Sequence, residues 1–271
     1  MVFETLNVRN DGAVLFAKIA AAPMNLLGPA LVRDLVSLIG QTEADGTIRV
    51  LVFESADPDY FISHVDVTRI KEYREEAAKL VDDASIGLLF RRLSESHLVT
   101  IAQIEGRVRG AGSEFVLACD MRFAALETAL FGQPEAGFGL VPGAGGIQHL
   151  ARLMGRGRAL EAILGADDYD AELAERYGWI NRALPSARLG AFVSSLARRI
   201  SQFPETSLVA IKQRINAIAL APAEDFRRDS NLFSEGAREP ETQHRIQLAL
   251  RRGFQTREAE LDLARLVGEL G

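Results

Sequence analysis

The sequence contains one cysteine, Cys119, and four histidines, and basic residues do not outnumber acidic ones. Each scarcity removes a class of function. A lone thiol can form neither an internal disulfide nor a thiolate metal cluster, so a reducing compartment is expected. His97, His149 and His244 share no spacing and no acid partners, and no metal site is expected from them. The formal net charge of -6 argues against a nucleic-acid partner, because phosphate recognition shows as a basic surplus. An anionic small ligand remains open, since a local basic patch suffices for it. No apolar run is long enough to span a membrane: the most apolar window, residues 13–32, is broken by Lys18, Pro23, Asn25 and Pro29. Residues 1–7 lack the basic-then-apolar order of a signal peptide, and a cytoplasmic location is expected. Neither a full G-x-G-x-x-G after a strand nor a P-loop ending is present, which excludes the common nucleotide loops.

What is present is ordinary in amount and specific in order. With 271 residues, 48% apolar and 25% charged, the chain has ample material for a large core. Residues 2–9 and 13–19 read as strands about an Asn10-Asp11-Gly12 turn. Residues 30–39 carry Leu31, Leu35 and Ile39 on one helical face, ended by Gly40. Residues 48–53 and Phe61-Ile62 read as strands, and Asp66 as a helix cap. Residues 71–85 are highly charged without a clean period, so a mobile exposed segment is expected there, before an apolar helical face resumes over 86–93. Strand character returns at 99–104, 121–125, 130–135 and 179–184, with helical patterns over 159–164 and 171–177. From about Ser186 onward only helical patterns occur. The reading is an α/β core over residues 1–185 and a C-terminal helical region over 186–271.

Chemistry concentrates in the stretch from Gly106 to Asp120. The buried strand at 99–104 leads through Gly110-Ala-Gly-Ser-Glu114 into an apolar helix, so the glycines sit at a strand-to-helix turn. There the first backbone N–H groups lack intrahelical partners and favour an anion or a developing oxyanion. Glu114 follows one turn later inside an apolar segment. A buried acid beside an anion site points to catalysis. Equally, such a turn can serve only to pack helix on sheet, with Glu114 capping first-turn N–H groups. Cys119 reads as a small core residue.

Taken together, Phe61-Ile-Ser-His-Val-Asp66, Gly110-Ala-Gly-Ser-Glu114, Cys119-Asp120, Phe131-Gly-Gln-Pro-Glu135 and Pro142-Gly-Ala-Gly-Gly-Ile-Gln148 resemble the enoyl-CoA hydratase/isomerase family, the crotonase superfamily, over roughly residues 2–200. The resemblance implies a spiral of ββα units and a C-terminal helical region that makes trimers, often paired as hexamers. It further implies an acyl-CoA substrate whose thioester oxygen is bound by the backbone N–H groups of Ser63 and Ala111, with Glu114 and Glu135 as the paired catalytic acids of a hydratase. Coenzyme A enters only as part of the substrate, and no other cofactor is implied. Gly110, His64 and Arg109 are the candidate substrate-binding residues. His64 and Val65 stand where the family carries small residues, so His64 is read as lining the pocket, narrowing it, facing solvent or serving in proton transfer. Arg109 is read as holding a polar acyl group or pairing with an internal acid. Lys212, Arg214, Arg251, Arg252 and Phe254 do not align with the family's CoA-binding tail, and no phosphate contact follows. A double-bond isomerase, needing only the acid at Glu135, and a catalytically silent acyl-CoA-binding homologue are the alternatives.

Overall fold

A computed structural model describes residues 2–270. β1 (Leu6–Asp11) and β2 (Val14–Ile19) form the antiparallel hairpin, followed by α1 (Pro29–Ala44). From there strands leave in pairs. The pairs are β3 (Val50–Ser55) with β4 (Tyr60–Ile62), β5 (Val99–Ile104) with β6 (Arg107–Arg109), β7 (Met121–Ala125) with β8 (Leu130–Gly132), and β9 (Asp168–Asp170) with β10 (Arg182–Leu184). In the first three pairs the leading strand joins a six-stranded sheet, β1-β2-β3-β5-β7-β10, and the following strand a four-stranded sheet, β4-β6-β8-β9; in the last pair the order reverses. Helices follow the pairs. They are α2 (Ile70–Val81) and α3 (Ile86–Glu95), then α4 (Ala111–Ala118), then a 3-10 turn (Pro134–Phe138) with α5 (Gly146–Met154) and α6 (Arg156–Gly165). α7 (Ala171–Tyr177) lies between β9 and β10. The architecture is α/β, built of strand–strand–helix units.

The inner strands of the six-stranded sheet, β2, β3, β5 and β7, are buried on both faces, which is why they are mostly apolar runs, whereas the edge strand β1 is largely exposed and polar. Val14, Phe16, Val50, Val52, Ile101 and Phe123 pack on one side against Leu189, Val193 and Ala197 of α8 (Ser186–Ser201). The intervening Leu15, Ala17, Leu51, Phe53, Ala102 and Ile104 face the main core on the other. After α8 come α9 (Glu205–Ala219), α10 (Ala223–Gly236), α11 (Pro240–Arg251), α12 (Arg257–Glu260) and α13 (Leu263–Gly268). No strand follows Ser186 among the described residues. Met1 and Gly271, the outer limits of the expected two-part division, lie outside them.

The last helices fold back over the first half of the chain, and two glycines permit the approach. A Cβ on Gly143 would lie 2.5 Å from that of Phe233 in α10, and one on Gly137 would lie 2.0 Å from Val267 Cγ1 in α13. Phe138, Ile246, Ala249, Phe254, Leu263 and Leu266 close a small second core around that contact.

Several local expectations change. Residues 70–81 form a helix rather than a mobile segment: its buried stripe is only Tyr73 and Ala77, four apart on one face, and the charges around it pair along the helix, as Lys79 does with Glu76 at 2.6 Å. A stripe two residues wide is hidden by charge in the sequence. Asp66 does not cap that helix. Its Oδ1 accepts from the N–H and hydroxyl of Thr68 in the preceding turn. α1 continues past Gly40 to Ala44. β6 and β9, three residues each, were not apparent from pattern, and the strand at 179–184 shortens to β10 because Trp179 turns inward to Ser113 Oγ at 3.1 Å. No helix among the described residues is long and apolar enough to cross a membrane.

Candidate active site

The site begins where α4 starts against the end of β4. A Cβ on Gly112 would lie 2.1 Å from the Ile62 carbonyl oxygen, so only glycine lets the first turn of the helix rest on that strand. Gly110, at φ 49° and ψ -127°, makes the sharp entry from β6 that aims the helix there. The two contacts bring Ser63, just beyond β4, beside Ala111, the first residue of α4. Ser63 is fixed by its hydroxyl, which donates to the Met24 carbonyl. Among the described residues neither the Ser63 nor the Ala111 backbone N–H has a hydrogen-bond acceptor. Two free amides at a helix N-terminus form a ready seat for an oxyanion.

Glu114 does cap a helix, though not its own. Its Oε1 accepts from the N–H groups of Ala144 at 2.7 Å and Gly146 at 2.8 Å, at the start of α5. The glycines of residues 142–146 make this possible, for a Cβ on Gly146 would lie 3.1 Å from Glu114 Oε1. Glu135 enters from the 3-10 turn, with Gln133 Nε2 donating to its Oε2 at 3.2 Å. Its Oε1 lies against Gly110, 3.0 Å from where a Cβ there would stand. Both acids are buried, Glu114 2% and Glu135 7% exposed.

Their surroundings separate them. Burial raises the Glu114 carboxyl to about 7, against the pull of the Gly146 and Ala144 amides toward the ionised form. Burial also lifts Glu135 well above the ordinary carboxylate range, and the charge of Glu114 lifts it further. Both carboxyls are thus pushed above the ordinary carboxylate range, and as a coupled pair they titrate together.

His64 is buried and lines the same cavity. Nδ1 lies 2.7 Å from the Val65 carbonyl and Nε2 2.8 Å from Glu260 Oε1, and the ring stacks on Phe254 at 4.6 Å. Arg109 lies outside the cavity lining, and its guanidinium serves the internal-acid alternative. It donates to both oxygens of Asp168, with Nε 2.7 Å from Oδ1, and through Nη1 to the Glu260 carbonyl at 2.7 Å. Burial alone would raise the Glu260 carboxyl, but His64, the Gln255 N–H and Arg109 together hold it below its ordinary value. Glu260 and Asp168 carry no signal in sequence, because they reach the site from 196 and 59 residues away.

The cavity is walled by Val65 from the loop after β4, Ile70 and Tyr73 from α2, Ile86 from α3, Phe138 from the 3-10 turn, Phe233 from α10, Ile246 from α11, and Phe254 just beyond α11. Phe254, unplaced by sequence, is thus a wall residue. Lys212 is not: its ammonium donates to the Leu98 carbonyl and Asp120 at 2.7 and 2.8 Å. Cys119 is buried in the core, and burial raises its thiol to about 12. His149 is held neutral by burial, its value lowered to about 3. Among the described residues no three His, Cys, Asp or Glu side chains are grouped so as to hold a metal ion.

A family model for enoyl-CoA hydratase/isomerase matches residues 9–253. The short-chain-enoyl-CoA hydratase of Clostridium acetobutylicum is 30% identical over 197 residues, 71% of this chain and 73% of that one. A probable enoyl-CoA hydratase of Rhizobium meliloti is 30% identical over 237 residues, 86% and 90% of the two chains. A crystal structure from Streptomyces avermitilis, provisionally named an enoyl-CoA hydratase, is 53% identical with a TM-score of 0.98, covering 100% of this chain and 99% of that one.

Proposed function

The chain belongs to the enoyl-CoA hydratase/isomerase family, and on that premise we propose that it adds water to a 2-enoyl-CoA thioester. The observation that carries the reading is the pair of buried carboxylates on one cavity, Glu114 held by the Ala144 and Gly146 amides and Glu135 by the Gln133 side chain. The thioester oxygen sits on the N–H groups of Ser63 and Ala111. As water oxygen bonds to C3, the C2=C3 electrons move to C2 and onto that oxygen as an enolate, which the two amides and the α4 dipole stabilise. Glu114, the acid with two N–H donors, takes the proton from the water; Glu135, whose carboxyl burial and the neighbouring Glu114 charge push up, gives its own to C2. One proton enters the pair and one leaves it, and exchange between the acids restores the resting state. Coenzyme A is part of the substrate, and the scheme uses no other cofactor.

Product analysis on short, long and aromatic 2-enoyl-CoAs tests this directly. The expected product is the 3-hydroxyacyl-CoA, carrying ¹⁸O when the reaction runs in labelled water. Conversion of the 2-enoyl to a 3-enoyl thioester without label uptake would replace hydratase by isomerase, and binding without turnover would leave an acyl-CoA-binding homologue.

The family assembly, a homotrimer or hexamer, belongs to the same proposal. α9 supports it: Ile211, Ile215 and Ile218 are 58, 57 and 85% exposed at helical spacing, and a helix rarely leaves an apolar stripe to water. Light scattering at micromolar concentration should give three or six times the 29.6 kDa chain mass. A monomer under those conditions rules out the assembly.

A further inference from the structure

One wall of the cavity holds polar groups that the hydration scheme leaves idle. Tyr73 is only 1% exposed and lines the cavity from α2. Its hydroxyl has no hydrogen-bond partner among the described residues, and burial pushes it far above its ordinary pKa without any hydrogen bond contributing. The phenol is therefore a neutral donor at every working pH. The hydroxyl is not fully enclosed by protein, so its free side opens on the cavity, where Val67, Ile70 and Ile86 form the same wall. Phenylalanine would pack there as well. The hydroxyl is therefore surplus to the fold.

The adjacent residue points the same way. Arg74 also lines the cavity, is about half-buried, and makes a single hydrogen bond, from Nε to the Ala84 carbonyl. Among the described residues no carboxylate lies within ion-pair distance of it. Asp83, whose charge it feels, is engaged by Arg227 at 3.1 Å. Arg238 also stands near enough to oppose its charge. An uncompensated guanidinium beside an unpartnered phenol, both facing one cavity, is arranged to receive an acceptor that also carries negative charge.

We propose that this wall recognises the far end of the acyl group, and that the preferred substrates are 2-enoyl thioesters whose acyl chain ends in a carboxylate, held by the Tyr73 hydroxyl and the Arg74 guanidinium. The proposal rests on the reading of the cavity as an acyl-CoA site and supplies its substrate class. Both residues are specificity determinants, remote from the reacting carbons. Tyr73 and Glu114 line the same cavity, so a short acyl chain is the first probe of this wall. The same positive wall could in principle meet a phosphate of coenzyme A, so the test must separate the two anions.

Binding of saturated acyl-CoAs, which cannot be hydrated, provides the test. Glutaryl-CoA and pentanoyl-CoA have the same chain length and differ in the terminal carboxylate. By calorimetry the intact protein should bind glutaryl-CoA about ten- to a hundred-fold more tightly, as expected for charge-assisted hydrogen bonds. Tyr73→Phe and Arg74→Gln should each bring that ratio toward one by weakening glutaryl-CoA, and Arg74→Lys should keep part of it. Equal affinity for the two ligands in the wild type overturns the proposal. So does an Arg74→Gln variant that weakens glutaryl-CoA, pentanoyl-CoA and free coenzyme A alike, because that result assigns the arginine to a CoA phosphate. Hydration plays no part in this measurement. Selectivity without turnover of any enoyl-CoA would sink the hydratase reading alone, and turnover without selectivity would sink only this one.

Discussion

Glu114→Gln is expected to lower the hydration rate on the order of 10²- to 10⁴-fold. Glutamine keeps the length of the side chain and a carbonyl oxygen for the Ala144 and Gly146 amides that Glu114 now binds, so the N-terminus of α5 stays satisfied. The base is what disappears. Substrate affinity should change little, because the proposed oxyanion seat at Ser63 and Ala111 is untouched. Glu135→Gln should be at least as damaging to hydration, since it removes the proton destined for C2. The two variants separate hydratase from isomerase: an enzyme that only shifts double bonds needs Glu135 and would tolerate Glu114→Gln. A folded Glu114→Gln protein hydrating at the wild-type rate would remove Glu114 from the mechanism.

The same acids set a pH dependence of stability whose sign follows from burial. Both folded-state values lie above the ordinary value of 4.5, Glu114 at about 7 and Glu135 higher than normal. Between 4.5 and those values the folded chain holds protons that the unfolded chain has released, so stability is greatest below about pH 4.5 for these groups and falls as pH rises. For Glu114 alone the shift corresponds to roughly 3 kcal/mol lost across that window. Glu135→Gln cannot ionise, so its Tm relative to wild type should rise between pH 5 and pH 8. A Tm difference that stays constant over that range would mean that Glu135 ionises normally in the fold.

The parts of this site that were legible in sequence are those made by short-range backbone constraint. The glycines before Glu114 and those of residues 142–146 stand where a Cβ would strike a neighbour, so their pattern survives in the chain as a readable motif. The inner strands of the large sheet were legible for a related reason, since burial on both faces leaves little room for polar residues. Illegible features are those fixed only by tertiary approach. Glu260 and Phe254 come from the helical tail to meet His64, and nothing local marks them. Arg109 was readable as either ligand contact or ion pair; Asp168, on a strand too short to detect, favours the second. Tyr73 was hidden by its neighbours, because four charged side chains from Lys71 to Glu75 mask a buried stripe of Tyr73 and Ala77.

Gly112→Ala should cost nearly as much activity as losing an acid, although it adds one methyl group and removes no proton-transfer group. Helix propensity alone favours the change by about 1 kcal/mol. Packing opposes it more strongly, because the new Cβ would lie 2.1 Å from the Ile62 carbonyl oxygen and 2.9 Å from the Ile62 Cβ, and neither backbone atoms nor a buried side chain can swing aside. The start of α4 must lift off β4, and the Ser63 and Ala111 amides move apart. Loss of one such donor is worth about 10²- to 10³-fold in kcat, and that is the fall expected here, with Tm lowered as well. Gly157→Ala in α6 is the matched control: a Cβ there meets nothing within 4 Å, so the helix gains propensity and activity is retained. The diagnostic measurement is kcat of folded Gly112→Ala protein at saturating substrate, with circular dichroism confirming the fold. Wild-type kcat in that protein would show that the close seating of α4 on β4 does not set the oxyanion donors, and the proposed roles of Ser63 and Ala111 would fall with it.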